Sequence, residues 1–498
     1  MLTTQESVPP ETLKSTFDAQ ELKKRSVQGG LLVMGAQAAK FVIKFGSAIV
    51  VARLLTPADF GMVAMVSPIL GFLSTFNDLG FGQAIVQSPD ITKEQISALF
   101  WRNMLISAGL AILLSLIAPL ASKLYHEPRT TPLLMAMGGM LILATLGLVP
   151  NALLKREMRF GPLSAIDVAG LLIGTGVTIA AAAKGFSYWS LVIGQVATSL
   201  AGLVLAFMYT RWIPTRTLKA EKLGAFMRFG ANLTLVNVAT YFSMTADNMI
   251  VGAVSGKVQL GLYDRSYTLT IGPLNQLLSP ISQVSVPLLS RLQDKPELYK
   301  TSYKHMLRIA LTLTMPAMLF CVMTAKHLVP LMLGPKWTLA APIFAWVCFG
   351  GLIAPLFSST GWIFSTQNRT DEQMKASVAT AFISIISFAI GVHWGAVGVA
   401  CVSSLSFTFI QMPLMLYVMT RKGVITLPDV VQTLIPFIIT TLLVAIPLYW
   451  MRSAWTLPQM VGLLLLSYSL FVVLLMMLPG GRDFVKMLRN IRGTLRPS

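Results

Sequence analysis

Charged residues are scarce in this sequence of 498 residues, because Asp, Glu, Lys and Arg together make up only 12% of it. Hydrophobic residues make up 54%, and the mean hydropathy is +0.69. A soluble domain of this length carries far more charge on its surface, so the composition excludes a soluble globular protein. Apolar runs of about 20 residues recur along nearly the whole chain, and each is long enough to cross a membrane as a helix.

Cysteine and histidine are also rare, with 3 and 4 residues. Cys321, Cys348 and Cys401 lie inside apolar runs without CxxC spacing, so we predict buried thiols and neither a disulfide nor a metal site. The histidines are scattered over loops and helix ends without an obvious carboxylate partner, and no long loop is present to carry an acid–base set. We therefore predict a protein that is not an enzyme and uses no cofactor.

Acidic residues are outnumbered, because 20 Asp and Glu stand against 39 Lys and Arg, for a net charge of +19. With a cytoplasmic N-terminus, most basic residues fall in cytoplasmic loops and tails, which is the positive-inside pattern. We therefore expect contacts with membrane lipids, cytoplasmic termini and no nucleic-acid partner. The polar N-terminal tail ends in Lys23-Lys24-Arg25 without a cleavage site, so the first apolar run is predicted to be a retained helix.

The hydropathy pattern predicts an all-α polytopic membrane protein with about 14 transmembrane helices, in two six-helix lobes plus two C-terminal helices. A shift of about 200 positions aligns Val51 with Val251 and Gly61 with Gly261, a faint repeat that supports the six-plus-six division. The predicted spans are 29–54, 60–86, 100–122, 131–153, 161–183, 187–210, 229–254, 262–288, 306–326, 338–364, 374–394, 395–419, 431–451 and 457–478. The predicted segments are a cytoplasmic tail (1–28), an N-lobe (29–210), a basic cytoplasmic linker (211–228), a C-lobe (229–420), spans 13 and 14 (421–480) and a basic cytoplasmic tail (481–498).

Two lysines inside the first apolar run are the first candidates for a binding site. Lys40 and Lys44 lie about one helical turn apart and leave the same face of a helix, with Gln37 one turn earlier. Charge at membrane depth costs at least about 2.5–3.5 kcal/mol per residue, so it normally faces a bundle interior or a water-filled cavity. We predict a cationic lining for an anionic substrate, and the alternatives are snorkelling to an interface and pairing with a carboxylate.

Two carboxylates in predicted spans could balance or couple to these lysines. Asp167 lies in the fifth span, where it could pair with a lysine or act as a protonatable coupling group. Asp247 lies in the seventh span and is the second coupling candidate. For both, the alternative is an interfacial carboxylate satisfied by a neighbouring helix end or a loop arginine.

The eighth span combines prolines with polar residues. Pro273, Pro280 and Pro287 promote bending, while Gln276, Ser279 and Gln283 share one face with Asn275 beside them. We predict that this face lines the path of the substrate; the alternative is a bent packing helix whose polar groups satisfy freed carbonyls. Among the aromatic residues near spans, Tyr241 is the one that we predict to stack on a ring of the substrate, although tyrosine more often belongs to interfacial belts.

Five motifs in the chain resemble those of a known family. They are RLLTPADFG at 53–61, DLGFGQAIVQ at 78–87, LLKREMRF at 153–160, LYDRS at 262–266 and VPLMLGPKW at 329–337. These segments resemble the Wzx-type, colanic-acid-exporter-like polysaccharide transporters of the multidrug/oligosaccharidyl-lipid/polysaccharide superfamily. The resemblance covers most of residues 26–420 and is weaker in the final two spans and the N-terminal tail.

The resemblance implies a flippase of the bacterial inner membrane with a central, often cationic cavity that opens to each side in turn. Its implied cargo is an oligosaccharide on polyprenyl pyrophosphate, moved to the periplasm for exopolysaccharide, capsule or lipopolysaccharide assembly. A polysaccharide polymerase and export machinery are further expected partners. Two alternatives stay open: a multidrug cation antiporter of the same superfamily, which would need acidic residues in the cavity, and a membrane enzyme of polysaccharide assembly.

Overall fold

The computed structural model describes residues 19–78, 81–88, 91–216, 223–450 and 456–478, without side chains for 19–31, 77–78, 223–240, 242–244 and 457. Within these ranges the fold is built from helices. They are α1 (Ala19–Leu54), α2 (Pro57–Asp78), α3 (Phe81–Gln87), α4 (Lys93–Tyr125), α5 (Thr130–Arg156), α6 (Phe160–Ala183), α7 (Trp189–Thr210), α8 (Leu223–Ser290), α9 (Pro296–Leu333), α10 (Ala341–Gly351), α11 (Ala354–Thr366), α12 (Thr370–Gly391), α13 (Gly395–Ser406), α14 (Met412–Thr420), α15 (Leu427–Trp450) and α16 (Leu457–Met477). Two 3-10 turns (Pro335–Ala340 and Val392–Trp394) and one π-helical turn (Phe407–Gln411) join some of them.

Helices of membrane-spanning length confirm the predicted fold class. Within the described ranges, 11 helical segments are long and apolar enough to cross a membrane. One of them, Thr370–Thr420, contains the predicted eleventh and twelfth spans, and α8, which Gly256 interrupts, contains the seventh and eighth. Each predicted span therefore coincides with helix, while the number of 14 crossings stays a prediction.

The chain forms two compact units, residues 1–257 and 258–498. In unit 1, α4 packs on α5, α6 packs on α7, and α1 packs on α6. In unit 2, α9 packs on α10 and α15, and α12 packs on α13. The lobe limits drawn from the sequence stay a prediction, because those limits divide the chain before α8 and the compact units divide it within α8.

Left-handed residues at helix ends repeat between the two halves of the chain. His126 ends α4 with φ of 52° and Gly334 ends α9 with φ of 99°. Met158 and Asn368, both at φ of 54°, occupy the equivalent turns after α5 and α11. Gly185 and Gly395 follow α6 and α12 in the same way, at φ of 83° and 68°. In each case the later residue lies about 210 positions after the earlier one, so the helix ends preserve an internal repeat that side-chain identity barely shows.

Helix α8 changes direction at one residue. Gly256 has φ of 78° and ψ of 176°, values that a residue with a Cβ atom strongly disfavours. The three prolines predicted to bend the eighth span, Pro273, Pro280 and Pro287, all lie inside the helix that follows. Gly256 therefore divides α8 into a first half, residues 223–255, and a second half, residues 257–290.

The two C-terminal helices are tied to α9 by polar contacts. Lys304 Nζ lies 2.6 Å from Asp429 Oδ1 near the start of α15. Tyr468 of α16 donates its hydroxyl hydrogen to the backbone carbonyl of Leu313. These contacts join α15 and α16 to unit 2.

Candidate functional site

An ion pair connects the first and fifth predicted spans. Lys40 Nζ on α1 donates to Asp167 Oδ2 on α6 at 2.7 Å. The side chain of Lys40 is 19% exposed and that of Asp167 is 55% exposed. Both residues lie within helices of membrane-spanning length, Leu32–Leu54 and Phe160–Ala183. The pair lowers the cost of holding a cation there, and its exposed carboxylate leaves the ammonium open to exchange for another anion.

Lys44 and Gln37 extend this polar position along α1. Both side chains are exposed, and they flank Lys40 by about one turn on either side. Within the described part of the chain, no ion pair includes Lys44. The structure thus places one paired and one unpaired ammonium on the same helical face.

Asp247 and Tyr241 lie in the first half of α8, which belongs to unit 1. Asp247 is 7% exposed, and its Oδ1 accepts a hydrogen bond of 2.8 Å from the backbone N–H of Asn248. The Tyr241 hydroxyl donates to the backbone carbonyls of Ser67 and Pro68 in α2, at 3.2 and 3.0 Å. Its hydroxyl therefore joins two helices, a role that no local sequence signal indicates.

The polar residues of the predicted eighth span lie along an exposed face of α8, within unit 2. Asn275, Gln276, Ser279 and Gln283 are all exposed, and Gln283 Nε2 donates to Ser279 Oγ at 3.1 Å. Leu274, Leu278 and Leu289 are buried on the other side of the helix.

Trp362 of α11 fixes the rotation of this helix. Its indole N–H donates to Ser282 Oγ at 3.0 Å. The sequence analysis did not predict this contact, because the two residues are 80 positions apart.

Another ion pair that the sequence analysis missed joins two turns of unit 1. Lys257, directly after the break in α8, forms an ion pair with Glu127, which follows α4. Arg129 Nε lies 3.9 Å from the other carboxylate oxygen of Glu127. The only feature of the sequence that could have indicated this pair is the opposite charge of Glu127 and Lys257, which lie in two predicted loops.

The motifs that carry the family resemblance mainly secure helix ends. Asp59 accepts hydrogen bonds from the Thr56 backbone and side chain at the start of α2, and one from the Ser187 hydroxyl. Arg156 donates to the carbonyls of Ile85, at 2.7 Å, and Ser88 at the end of α3. Because these side chains satisfy exposed backbone groups of helix ends, the motifs identify a fold more directly than a substrate.

Comparison with known proteins defines the class and then the family. The fold resembles that of the lipid II flippase MurJ in its inward closed conformation, with a TM-score of 0.72 and 13% identity over 92% of this chain and 100% of that one. The protein is therefore a multi-pass helical membrane protein with the MurJ fold. A family described as "Polysaccharide biosynthesis protein" matches residues 50–342, and the chain belongs to this family.

Two curated relatives agree with that family. The lipopolysaccharide biosynthesis protein WzxC of Escherichia coli is 24% identical over 369 residues, 73% of each chain. The succinoglycan biosynthesis transport protein ExoT of Rhizobium meliloti is 22% identical over 63% of this chain and 64% of its own. The resemblance inferred from the five motifs is confirmed.

Proposed function

We propose that the protein is a flippase that moves polyprenyl-pyrophosphate-linked oligosaccharide repeat units across the bacterial inner membrane to the periplasm. The repeat units would be used in exopolysaccharide, capsule or lipopolysaccharide assembly. Both termini of the protein would lie in the cytoplasm. The Lys40–Asp167 ion pair carries this proposal, because it places an exchangeable cation within a membrane-spanning helix. The printed names of the relatives, which concern polysaccharide biosynthesis and transport, support the same substrate class.

The proposed binding step is an exchange of counterions. In this structure, Asp167 neutralises Lys40. A pyrophosphate group carries more negative charge than one carboxylate, and it can engage Lys40 and Lys44 together. Asp167 then loses its partner, which makes it the first candidate for coupling and leaves the buried Asp247 as the second.

The sugar portion is proposed to meet amides and hydroxyls of α8. Asn275, Gln276, Ser279 and Gln283 form an exposed row that can exchange hydrogen bonds with sugar hydroxyls. Tyr241 can offer only its ring face to a sugar while its hydroxyl stays on the α2 carbonyls. The protein forms and breaks no covalent bond in this scheme, and hand-over to a polymerase and export machinery would follow.

Deletion and complementation test the function. Removing the gene should abolish surface polysaccharide and cause lipid-linked repeat units to accumulate inside the cell, and the wild-type gene should reverse both effects. Unchanged polymer together with altered drug sensitivity would overturn the proposal in favour of a cation antiporter. Loss of polymer without accumulation of completed repeat units would instead indicate an enzyme of their assembly.

Exchanging the two charges of the Lys40–Asp167 pair distinguishes a cation that binds the substrate from an ion pair that only holds two helices together. Lys40→Asp with Asp167→Lys keeps an ion pair between α1 and α6 but moves the cation onto α6. We expect normal amounts of membrane protein and export lowered by about tenfold or more, since the cation no longer lies beside Lys44. Polymer output equal to wild type would show that the pair serves only helix packing, and Asp167→Asn provides the matched neutral variant.

A further inference from the structure

The first half of α8 begins the second sequence repeat. The alignment that places Val51 on Val251 and Gly61 on Gly261 also places the turn between α1 and α2 on Gly256. Residues 223–255 are therefore the counterpart of α1. The compact unit to which they belong, however, is the first one, which ends at Lys257. This half-helix starts the second repeat but belongs to the first compact unit. It is therefore a candidate for an element that changes its packing contacts during transport.

Two polar contacts lie within unit 1, one on this half-helix and one directly after its end. Tyr241 donates to the carbonyls of Ser67 and Pro68, and a Cβ atom on Gly71 would overlap its phenol ring. About four turns further along α8, Lys257 pairs with Glu127. One contact fixes the half-helix near its middle, and the other fixes the residue directly after Gly256, at its end.

Glu127 is held in place by a well-formed turn. Its backbone N–H donates to the carbonyl of Ser122 at 3.2 Å, and its own carbonyl accepts from the N–H and hydroxyl of Thr130 at 3.1 and 2.8 Å. The carboxylate is 15% exposed and the Lys257 side chain is 32% exposed. A half-buried pair of this kind adds little to overall stability, so it can separate without unfolding its surroundings.

Gly256 supplies a place for such movement. Its backbone lies in a region open essentially to glycine alone, and an added Cβ atom would meet nothing within 4 Å. A break with open space around it lets the two halves of α8 change their angle.

We infer that Lys257 and Glu127 are positioning residues that hold the break at Gly256, and with it the end of the first half of α8, on unit 1 in one state of the transport cycle, and that this ion pair must separate for transport. This inference rests on the proposed function. The topology predicted from the sequence assigns both turns to the periplasmic side. Because the pair is formed in this structure, it would stabilise the state that the structure shows.

Reversible cross-linking tests whether the pair must separate. In a background where Ala replaces all three native cysteines, Glu127→Cys with Lys257→Cys is joined by a short methanethiosulfonate cross-linker that a reductant cleaves. We expect cross-linking to stop the appearance of new surface polymer and reduction to restore it. Full export by the cross-linked protein would overturn the inference.

A pair within one helix serves as the control for the reagent. Glu297 and Lys300 lie on α9, and their charged atoms are 3.4 Å apart. Glu297→Cys with Lys300→Cys, joined in the same way, should leave export unchanged, because the link spans less than one turn of a rigid helix. A block in both cysteine pairs would assign the effect to the reagent and reject the inference.

Charge reversal tests the ion pair without a cross-linker. Glu127→Lys and Lys257→Glu should each lower export by about tenfold, and the two together should recover most of it. Lys257→Arg should stay close to wild type. No recovery in the double variant, with normal protein amounts, would count against a positioning role. A flippase is refuted by unchanged polymer in the deletion strain, whereas this inference fails if deletion abolishes polymer and the cross-linked protein still exports.

Discussion

Lys40→Ala combined with Lys44→Ala is expected to abolish surface polymer while the protein still reaches the membrane. Lys40 is the partly buried member of an ion pair and Lys44 is an exposed ammonium on the same face of α1. Without both, a pyrophosphate headgroup would have to leave water with no countercharge on this helix, which costs several kcal/mol. The measurement is surface polysaccharide in a deletion strain that carries the variant gene, normalised to the amount of protein in the membrane.

The single variants show how much each lysine contributes to export, and a lysine elsewhere in the protein serves as the control. Lys40→Ala should lower export more than Lys44→Ala, because it also leaves Asp167 without its partner. Lys336→Ala, at an exposed position of the turn after α9, should export normally. If the double variant produced normal polymer, the cationic face of α1 would have no part in substrate binding.

The sequence predicted the helical spans well because hydropathy acts locally. A run of apolar residues must form a helix within a membrane, whatever its neighbours are. The join between the seventh and eighth spans falls at Gly256, inside the connection predicted at 255–261, and no other residue of that connection leaves the helical conformation. The structure joins the two helices at that single residue, so the predicted connection of several residues is nearly all helical.

The site was only partly predictable, because its contacts connect distant residues. The costly charge of Lys40 was visible in the sequence, and a lysine partner for Asp167 was one of three alternatives. The contact itself joins residues 127 positions apart, and spacing cannot reveal it. Tyr241 illustrates the limit more clearly, since its hydroxyl meets carbonyls of α2 more than 170 positions away. The packing role of the Tyr241 hydroxyl could be recognised only from the folded structure.

The internal repeat shows the reverse relation between sequence and structure. Few side chains agree between the halves, yet left-handed residues recur at Met158 and Asn368 and at Gly185 and Gly395. The backbone conformation at a helix end can be met by glycine, asparagine or, at some cost, methionine. Turn geometry therefore persists where residue identity changes, and a comparison of letters underestimates the repeat.

Gly174→Leu is expected to remove most folded protein, because α6 and α7 touch through glycines. A Cβ atom on Gly174 would lie 2.7 Å from the carbonyl oxygen of Gly194, and one on Gly194 would lie 2.9 Å from that of Gly174. In unit 2, a Cβ atom on Gly391 would likewise lie 2.7 Å from the carbonyl oxygen of Gly398. The Cβ atom would also meet the side chain of Thr198 at Gly174 and that of Thr178 at Gly194. Because backbone carbonyls lie within 3 Å as well, a threonine rotation alone cannot make room and the helices themselves must separate, at a cost of about 3 kcal/mol or more.

Gly176 provides the matched control for this prediction. It lies on the same helix two residues later, and an added Cβ atom there meets nothing within 4 Å. Gly176→Leu should therefore give nearly wild-type amounts of a monodisperse protein in detergent, whereas Gly174→Leu should give little protein or a lower unfolding temperature. Equal yield and equal unfolding temperature for the two variants would mean that α6 and α7 do not pack this closely. A low yield for both would indicate that leucine is poorly tolerated anywhere on α6, and the close approach of the two glycines would then not be the cause.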